Sequence, residues 1–332
     1  LVKKLKEYGL KTTFKRLVGR FGLPKLRKRV QNLQEFVDAN LYTTDMVYSE
    51  ENIADANKEF DGFICGSDQI WNPANTSLDS MYWLKFVNKG KLKISYAPSI
   101  GIEDAEMETR VKIKENLIDF DALSSREESG TRLINDILQN EVCTTVADPT
   151  FLVEKKVWEG ISNYRIYKNK YIFAYILRGT KKDREAIERF SKSKNIPIVT
   201  IPFLDGEHMV PYDLKFGDIK LWEASPTDFI SAIRNAEYVF TDSFHCMVFS
   251  CFFHKTFYVL PKKGKLQMSR ILGLQDLLST GNRVISSGFN VDEIDKMPNI
   301  DWEKVETRIK QYRNSSRIYL RDAIEKGVSR CQ

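Results

Sequence analysis

The sequence has little cysteine and less histidine, five and three in 332 residues. Cys65, Cys143, Cys246, Cys251 and Cys331 are odd in number and widely spaced, with no C-x-x-C pair. This argues against a disulfide framework or a structural zinc site and leaves reduced, buried thiols as the simplest reading. With no H-x-x-x-H pair and no acid-rich cluster, no metal site is read. Long apolar runs are missing too. Neither Tyr171 to Leu177 nor Met247 to Phe253, which Ser250 breaks, approaches the roughly 18–20 residues a spanning helix needs. Neither G-x-G-x-x-G nor a P-loop occurs, which removes the usual dinucleotide and ATPase readings. The basic start of the chain has no apolar segment behind it. No secretory signal is read, and the expected location is cytoplasmic.

What is present is a globular composition, 42% hydrophobic and 29% charged, at a length that favours two domains. The net charge of +6 is concentrated at one end. Residues 1–30 hold eleven lysines and arginines against Glu7 alone, with Leu10, Phe14, Leu17 and Phe21 at helical spacing. The first reading is a solvated helix packing one apolar stripe on its domain. The second is peripheral contact with the anionic inner face of a membrane. No motif supports nucleic-acid binding.

Strand and helix patterns alternate twice. Phe60–Cys65, Lys93–Ala97, Ala122–Ser125 and Cys143–Val146 read as strands, with helices over Asp104–Asp119 and Ser129–Gln139. The pattern restarts with the apolar run Tyr171–Leu177, then Ile198–Ile201, Tyr238–Thr241 and Phe257–Leu260. Helices are read over Lys182–Lys194, from Pro226 behind the cap Ser225, from about Ser243, and over Trp302–Glu325. Alternation of this kind predicts parallel sheets with crossover helices. The expected fold is α/β, with two Rossmann-like domains at 1–150 and 151–332 and a hinge between Asp148 and Lys170. Ligands of such folds bind at the carboxyl ends of the strands, so a cleft between the domains is the expected site.

The polar residues fall just after strands. Thr241-Asp242-Ser243-Phe244-His245 closes a strand and opens a helix whose N-terminus favours an anion. Asp242 or Ser243 can cap that helix. His245 then stands in the first turn as a candidate acid, weighed against a histidine that merely follows a cap. Gly66-Ser67-Asp68-Gln69 with Asn72 puts hydroxyl, carboxylate and amide groups in one loop, as a sugar ligand requires. The bland alternative is a capped loop with Trp71 as a core plug. Arg126 after the third strand can clamp a carboxylate or phosphate, or else pair with Glu127 or Glu128. Arg178 and Arg270 can add positive charge. His208 and His254 read as incidental.

Taken in order, these segments resemble the polysaccharide pyruvyl transferase family. The resemblance runs from Tyr42-Thr43-Thr44 through Phe60–Pro73, Tyr96–Gly101, Ser124–Glu127 and Ala147–Thr150 to Thr241–His245. It implies a GT-B-like fold and transfer of a pyruvyl group from phosphoenolpyruvate to a glycan or lipid-linked sugar, giving a ketal, with no other cofactor. It implies that Arg126 and His245 hold and activate the donor. Ser243 and Arg270 are expected to help bind the donor, Asp68 to orient or deprotonate a sugar hydroxyl, and Ser67, Gln69 and Asn72 to contact the acceptor. Relatives begin with a strand and a Gly/Asn-rich loop that nothing here matches, so a missing first strand is expected. Cys246 and Thr256 stand where many relatives have Gly and Pro. Two other functions fit the residues less fully. One is a GT-B glycosyltransferase using a nucleotide-sugar; the other is an inactive glycan-binding relative.

Overall fold

The computed structural model describes residues 24–203, 210–261 and 265–331. The apolar stripe of residues 10–21 and His208 lie outside them. The chain forms two compact units. One joins Leu1–Thr43, Lys155–Gly264 and Ser279–Val305; the other joins Thr44–Glu154, Lys265–Leu278 and Glu306–Gln332. A single cut after residue 150 is therefore replaced by an interleaved division. The chain does change unit at 154/155, but it also does so at 43/44 and at three later points.

The four-strand unit carries β1 (Gly62–Cys65), β2 (Leu92–Ser95), α2 (Met107–Leu117), β3 (Leu123–Ser125), α3 (Glu128–Leu138) and β4 (Cys143–Thr145). β1 pairs with β2 and β3 with β4, both parallel, and an Ile94–Ala122 bridge joins the pairs. Its core stacks Trp71 on Trp83 at 4.9 Å above Ile113, Leu117, Leu133 and Ile134. Helix α8 (Lys265–Leu278) and the greater part of α10 (Trp302–Cys331) complete this unit from distant sequence. Polar side chains lock α10 in place. Tyr312 and Tyr319 donate to the carbonyls of Val146 and Ser95, Arg313 donates to that of Phe151, and Ser316 Oγ accepts from Ala147 N–H.

The five-strand unit carries α4 (Lys155–Ile161), β5 (Ile172–Tyr175), α5 (Lys181–Lys194), β6 (Ile198–Thr200), β7 (Ile219–Lys220), α6 (Pro226–Arg234), β8 (Tyr238–Thr241), α7 (Phe244–Phe252), β9 (Thr256–Val259) and α9 (Val291–Asp295). All neighbours are parallel, in the order β7-β6-β5-β8-β9. β5 and β8 are buried apolar runs, as both faces of such a sheet are covered. Phe190, Phe240, Tyr258 and Phe289 fill the core on one face. Helix α6 starts at Pro226 behind a reciprocal capping box of Ser225 and Asp228. The strand order reverses direction between β5 and β8, which makes their carboxyl ends the switch point where open sheets hold ligands.

Helix α1 (Pro24–Asn40) buries no residue, yet it belongs to the five-strand unit. Arg29 explains this by donating to the carbonyls of Pro202, Leu221 and Trp222 at 2.8–3.1 Å, while Asn32 donates to that of Glu223.

Candidate active site

In the four-strand unit each strand delivers one polar residue to the same sheet edge: Asp68 after β1, Ser99 after β2, Arg126 after β3 and Asp148 after β4. The ladder continues past the strands and fixes their spacing. Ser99 N–H donates to Asp68 O, Arg126 N–H to Pro98 O, and Val146 N–H to Ser125 O. The turn out of β1 requires glycine. Gly66 has φ +141°, and any Cβ there would run into the Tyr96 carbonyl.

Arg126 is the hub. Its side chain is 2% exposed; Nη1 donates to Asp148 at 2.8 Å and Nη2 to Asp68 at 3.1 Å, while Nε lies 3.5 Å from Glu127. Burial works against the cation, but Glu127, Asp148 and Asp68 outweigh it and raise the pKa. Asp148 is as buried as the arginine, whereas the Asp68 side chain is 62% exposed. A buried acid thus anchors the guanidinium, and the guanidinium holds an exposed acid in place. The expected pairing of Arg126 with Glu127 exists, but it is buried rather than superficial. Glu128 pairs with Arg132 instead.

A second guanidinium approaches from α8. Both Nη atoms of Arg270 lie 2.8–2.9 Å from one end of the Gln69 amide, and Asn72 Nδ2 and Asn75 Nδ2 lie 2.7–2.8 Å from the other. The oxygen cannot face both sets of donors. Turning it toward Arg270 spares a cation from meeting an NH2 group, and charged hydrogen bonds are the stronger ones. Asn72 is buried and also accepts from Ala74 N–H, so it supports the loop. Ser67 donates to the Ala97 carbonyl at 2.7 Å. Asp68 is the exposed polar side chain of this loop.

In the five-strand unit Asp242 is wholly buried at the end of β8, where its carboxylate accepts from Leu177 and Arg178 N–H at 2.7 Å each. It ties the end of β5 to that of β8. The cap of α7 is Ser243, which accepts from Cys246 N–H at 3.4 Å. His245 follows in the first turn, half-buried, with its ring edge-on to Phe244 at 5.5 Å. Cys246 behind it is fully buried, and burial pushes its thiol pKa far up, so it is inert as a nucleophile. His254 stacks on Trp302.

The structure therefore groups Asp68, Gln69, Asn72, Arg126 and Arg270 in one unit and Ser243 and His245 in the other. Asp148 and Glu127 joined no site in the sequence reading, although both stand two or three residues past a strand. Among the described residues no group of histidine, cysteine or acidic side chains can hold a metal ion, and no helix is long and apolar enough to cross a membrane.

Parallel sheets whose polar residues collect at their carboxyl ends define an α/β protein of GT-B-like fold. The UDP-GlcNAc 2-epimerase of Methanocaldococcus jannaschii is similar to this chain over 87% of it and 89% of the epimerase, with a TM-score of 0.50 and 13% identity. The same protein in complex with UDP-GlcNAc and UDP gives 0.47 over the same shares, at 13% identity. At such identity the likeness speaks to fold alone. A search of curated proteins finds no match. The chain belongs to the polysaccharide pyruvyl transferase family, whose sequence profile matches residues 5–261. It is a transferase.

Proposed function

We propose that the protein moves a pyruvyl group from phosphoenolpyruvate to two hydroxyls of a sugar in a polysaccharide or its lipid-linked precursor. Family membership carries the reading, and the placement of Asp68, Arg126 and His245 at the carboxyl ends of strands supports it. In the reaction a proton adds to the methylene carbon of the donor and the two sugar oxygens bond to its C2. The bond to phosphate breaks. One hydroxyl proton balances the new methyl group and the other leaves with phosphate, so no resident cofactor is needed.

His245 delivers the proton to carbon, and the N-terminus of α7 capped by Ser243 favours the donor's negative charge. Arg270 binds a donor anion. Asp68 takes a proton from a sugar hydroxyl, while Ser67 and Gln69 contact the acceptor and Asn72 holds their loop. Arg126 holds Asp68. A cytoplasmic setting, with the basic segment 1–30 touching the inner membrane face, goes with a lipid-linked acceptor.

The test is phosphate release from phosphoenolpyruvate in the presence of candidate acceptor sugars, with mass analysis of the acceptor. Acceptor-dependent release with a pyruvyl ketal on the product is expected. No release with any acceptor, together with thermal stabilisation by a nucleotide-sugar, would overturn the reading in favour of a glycosyltransferase.

A further inference from the structure

The amino end of the five-strand sheet carries an open cavity of about 900 Å³. Three segments that lead into strands line it. Arg165, Lys168, Asn169 and Lys170 come before β5, Lys194 and Asn195 stand where α5 ends, and Glu237 comes before β8. Ser243 and His245 follow β8 at its other end. The four residues of that strand span roughly 13 Å, too far for one phosphate-sized group to serve both places.

Four cations line the cavity, and two of them are matched. Glu237 pairs with Lys170 at 3.0 Å, and Asp295 of α9 pairs with Lys194 at 2.9 Å. Lys194 also stands in the last turn of α5, where a cation answers the negative end of the helix. Arg165 and Lys168 have neither duty. They precede a strand, and among the described residues neither has a carboxylate partner. A loose, solvated loop would explain two such charges, but this loop is pinned. The Tyr164 carbonyl accepts from Ser231 Oγ at 2.6 Å and from Asn235 Nδ2 at 3.0 Å, and the Tyr164 hydroxyl donates to Asp228 at 2.7 Å. Arg234 holds the preceding turn by donating to the Glu159 carbonyl at 2.7 Å. Helix α6 thus fixes the backbone from which the unmatched cations project.

We propose that this cavity binds a phosphate group, held by Arg165 and Lys168 and separate from the transfer site. The guanidinium fork of Arg165 matches two phosphate oxygens, and Lys168 adds a point charge. Two unmatched cations balance the charge of a phosphate monoester or a diphosphate. The amides of Asn169 and Asn195 line the same cavity and offer neutral donors to the remaining oxygens. The Lys170–Glu237 pair lies at the surface, where such a pair contributes little, so Lys170 can turn to the ligand at small cost. A soluble phosphate compound and the headgroup of a lipid carry the same chemistry. The proposal takes nothing from the functional reading.

The experiment has a soluble arm and a lipid arm. The full chain is titrated calorimetrically with inorganic phosphate and with pyrophosphate, and floated with phosphatidylcholine vesicles with and without phosphatidic acid. Both arms are repeated with Arg165→Gln/Lys168→Gln and with Arg165→Lys. The two side chains are exposed, so the unliganded variants should melt with the wild type. Phosphate held at the carboxyl ends of the strands survives these substitutions, so only the binding lost in the variants belongs to the cavity. The double variant should bind about tenfold more weakly or worse. Arg165→Lys keeps the charge but loses the fork, and should also weaken. A loss confined to the soluble arm assigns a free phosphate compound and a loss confined to vesicles assigns a headgroup; either keeps the site. Equal binding by the wild type and the double variant puts the phosphate elsewhere and overturns the proposal. Equal binding by the wild type and Arg165→Lys reduces the cavity to diffuse attraction and overturns it too, as does no binding in either arm. Failure of the wild type to turn over phosphoenolpyruvate would sink the pyruvyl reading and leave these outcomes unchanged.

Discussion

At the residue scale, Arg126 and Asp68 look like one ion pair but predict opposite phenotypes. Removing Arg126 takes its guanidinium away from the buried Asp148 and Glu127. Breaking such a pair from one side costs about 3–5 kcal/mol, so Arg126→Ala should unfold at clearly lower denaturant, as a urea titration will show. Asp68 is exposed and has φ +60°, a conformation asparagine also tolerates. Asp68→Asn should keep its melting temperature and lose turnover by about 10²-fold or more, the usual weight of a general base. His245→Ala should keep its fold and lose turnover altogether; a His245→Ala protein with normal turnover would sink the site assignment. Reading along the chain found Arg126 and offered it an anionic ligand or, within the protein, only its neighbours Glu127 and Glu128. Its hydrogen-bonded acids lie 22 and 58 positions away, and only the sheet brings them together.

At the element scale, two helices begin with a serine cap and differ in what the cap does. Ser225 belongs to a reciprocal box with Asp228, whereas Ser243 accepts one long bond from Cys246 N–H. Losing either costs on the order of 1 kcal/mol, with the larger effect expected for Ser225→Ala because two backbone donors depend on the box. Thermal melts will rank them. Turnover should survive Ser225→Ala and fall in Ser243→Ala, where His245 rides on the capped turn. The strands were legible where apolar runs met a stop signal. Tyr238–Thr241 has the bounds its sequence suggests. β7 was not, because two residues make no pattern. α1 is read only in part, as the end of the basic helix over 1–30, because it buries none of its residues and no apolar stripe marks its continuation.

At the scale of the whole molecule, parallel α/β sheets could be read from the alternation of strands and helices, but the partition of the chain could not. Periodicity reports which face of a segment is buried, not which sheet it is buried against. The locks from Tyr312, Ser316 and Tyr319 onto β2 and the end of β4 give this a measurable consequence. Ending the chain after Val305 should destabilise the four-strand unit, although its strands all lie before Glu154. Hydrogen exchange will show faster opening of β2 and β4, with β5 and β8 less affected.

The interleaving also sets an order on biosynthesis. A ribosome adding about 5–20 residues per second needs roughly 8–30 s to travel from Glu154 to Glu306. For most of that interval the nascent four-strand sheet lacks α8, and for all of it the sheet lacks the tyrosine locks of α10. The segment carrying Arg126 and its acids must therefore wait, incompletely covered, for the last part of the message to be translated.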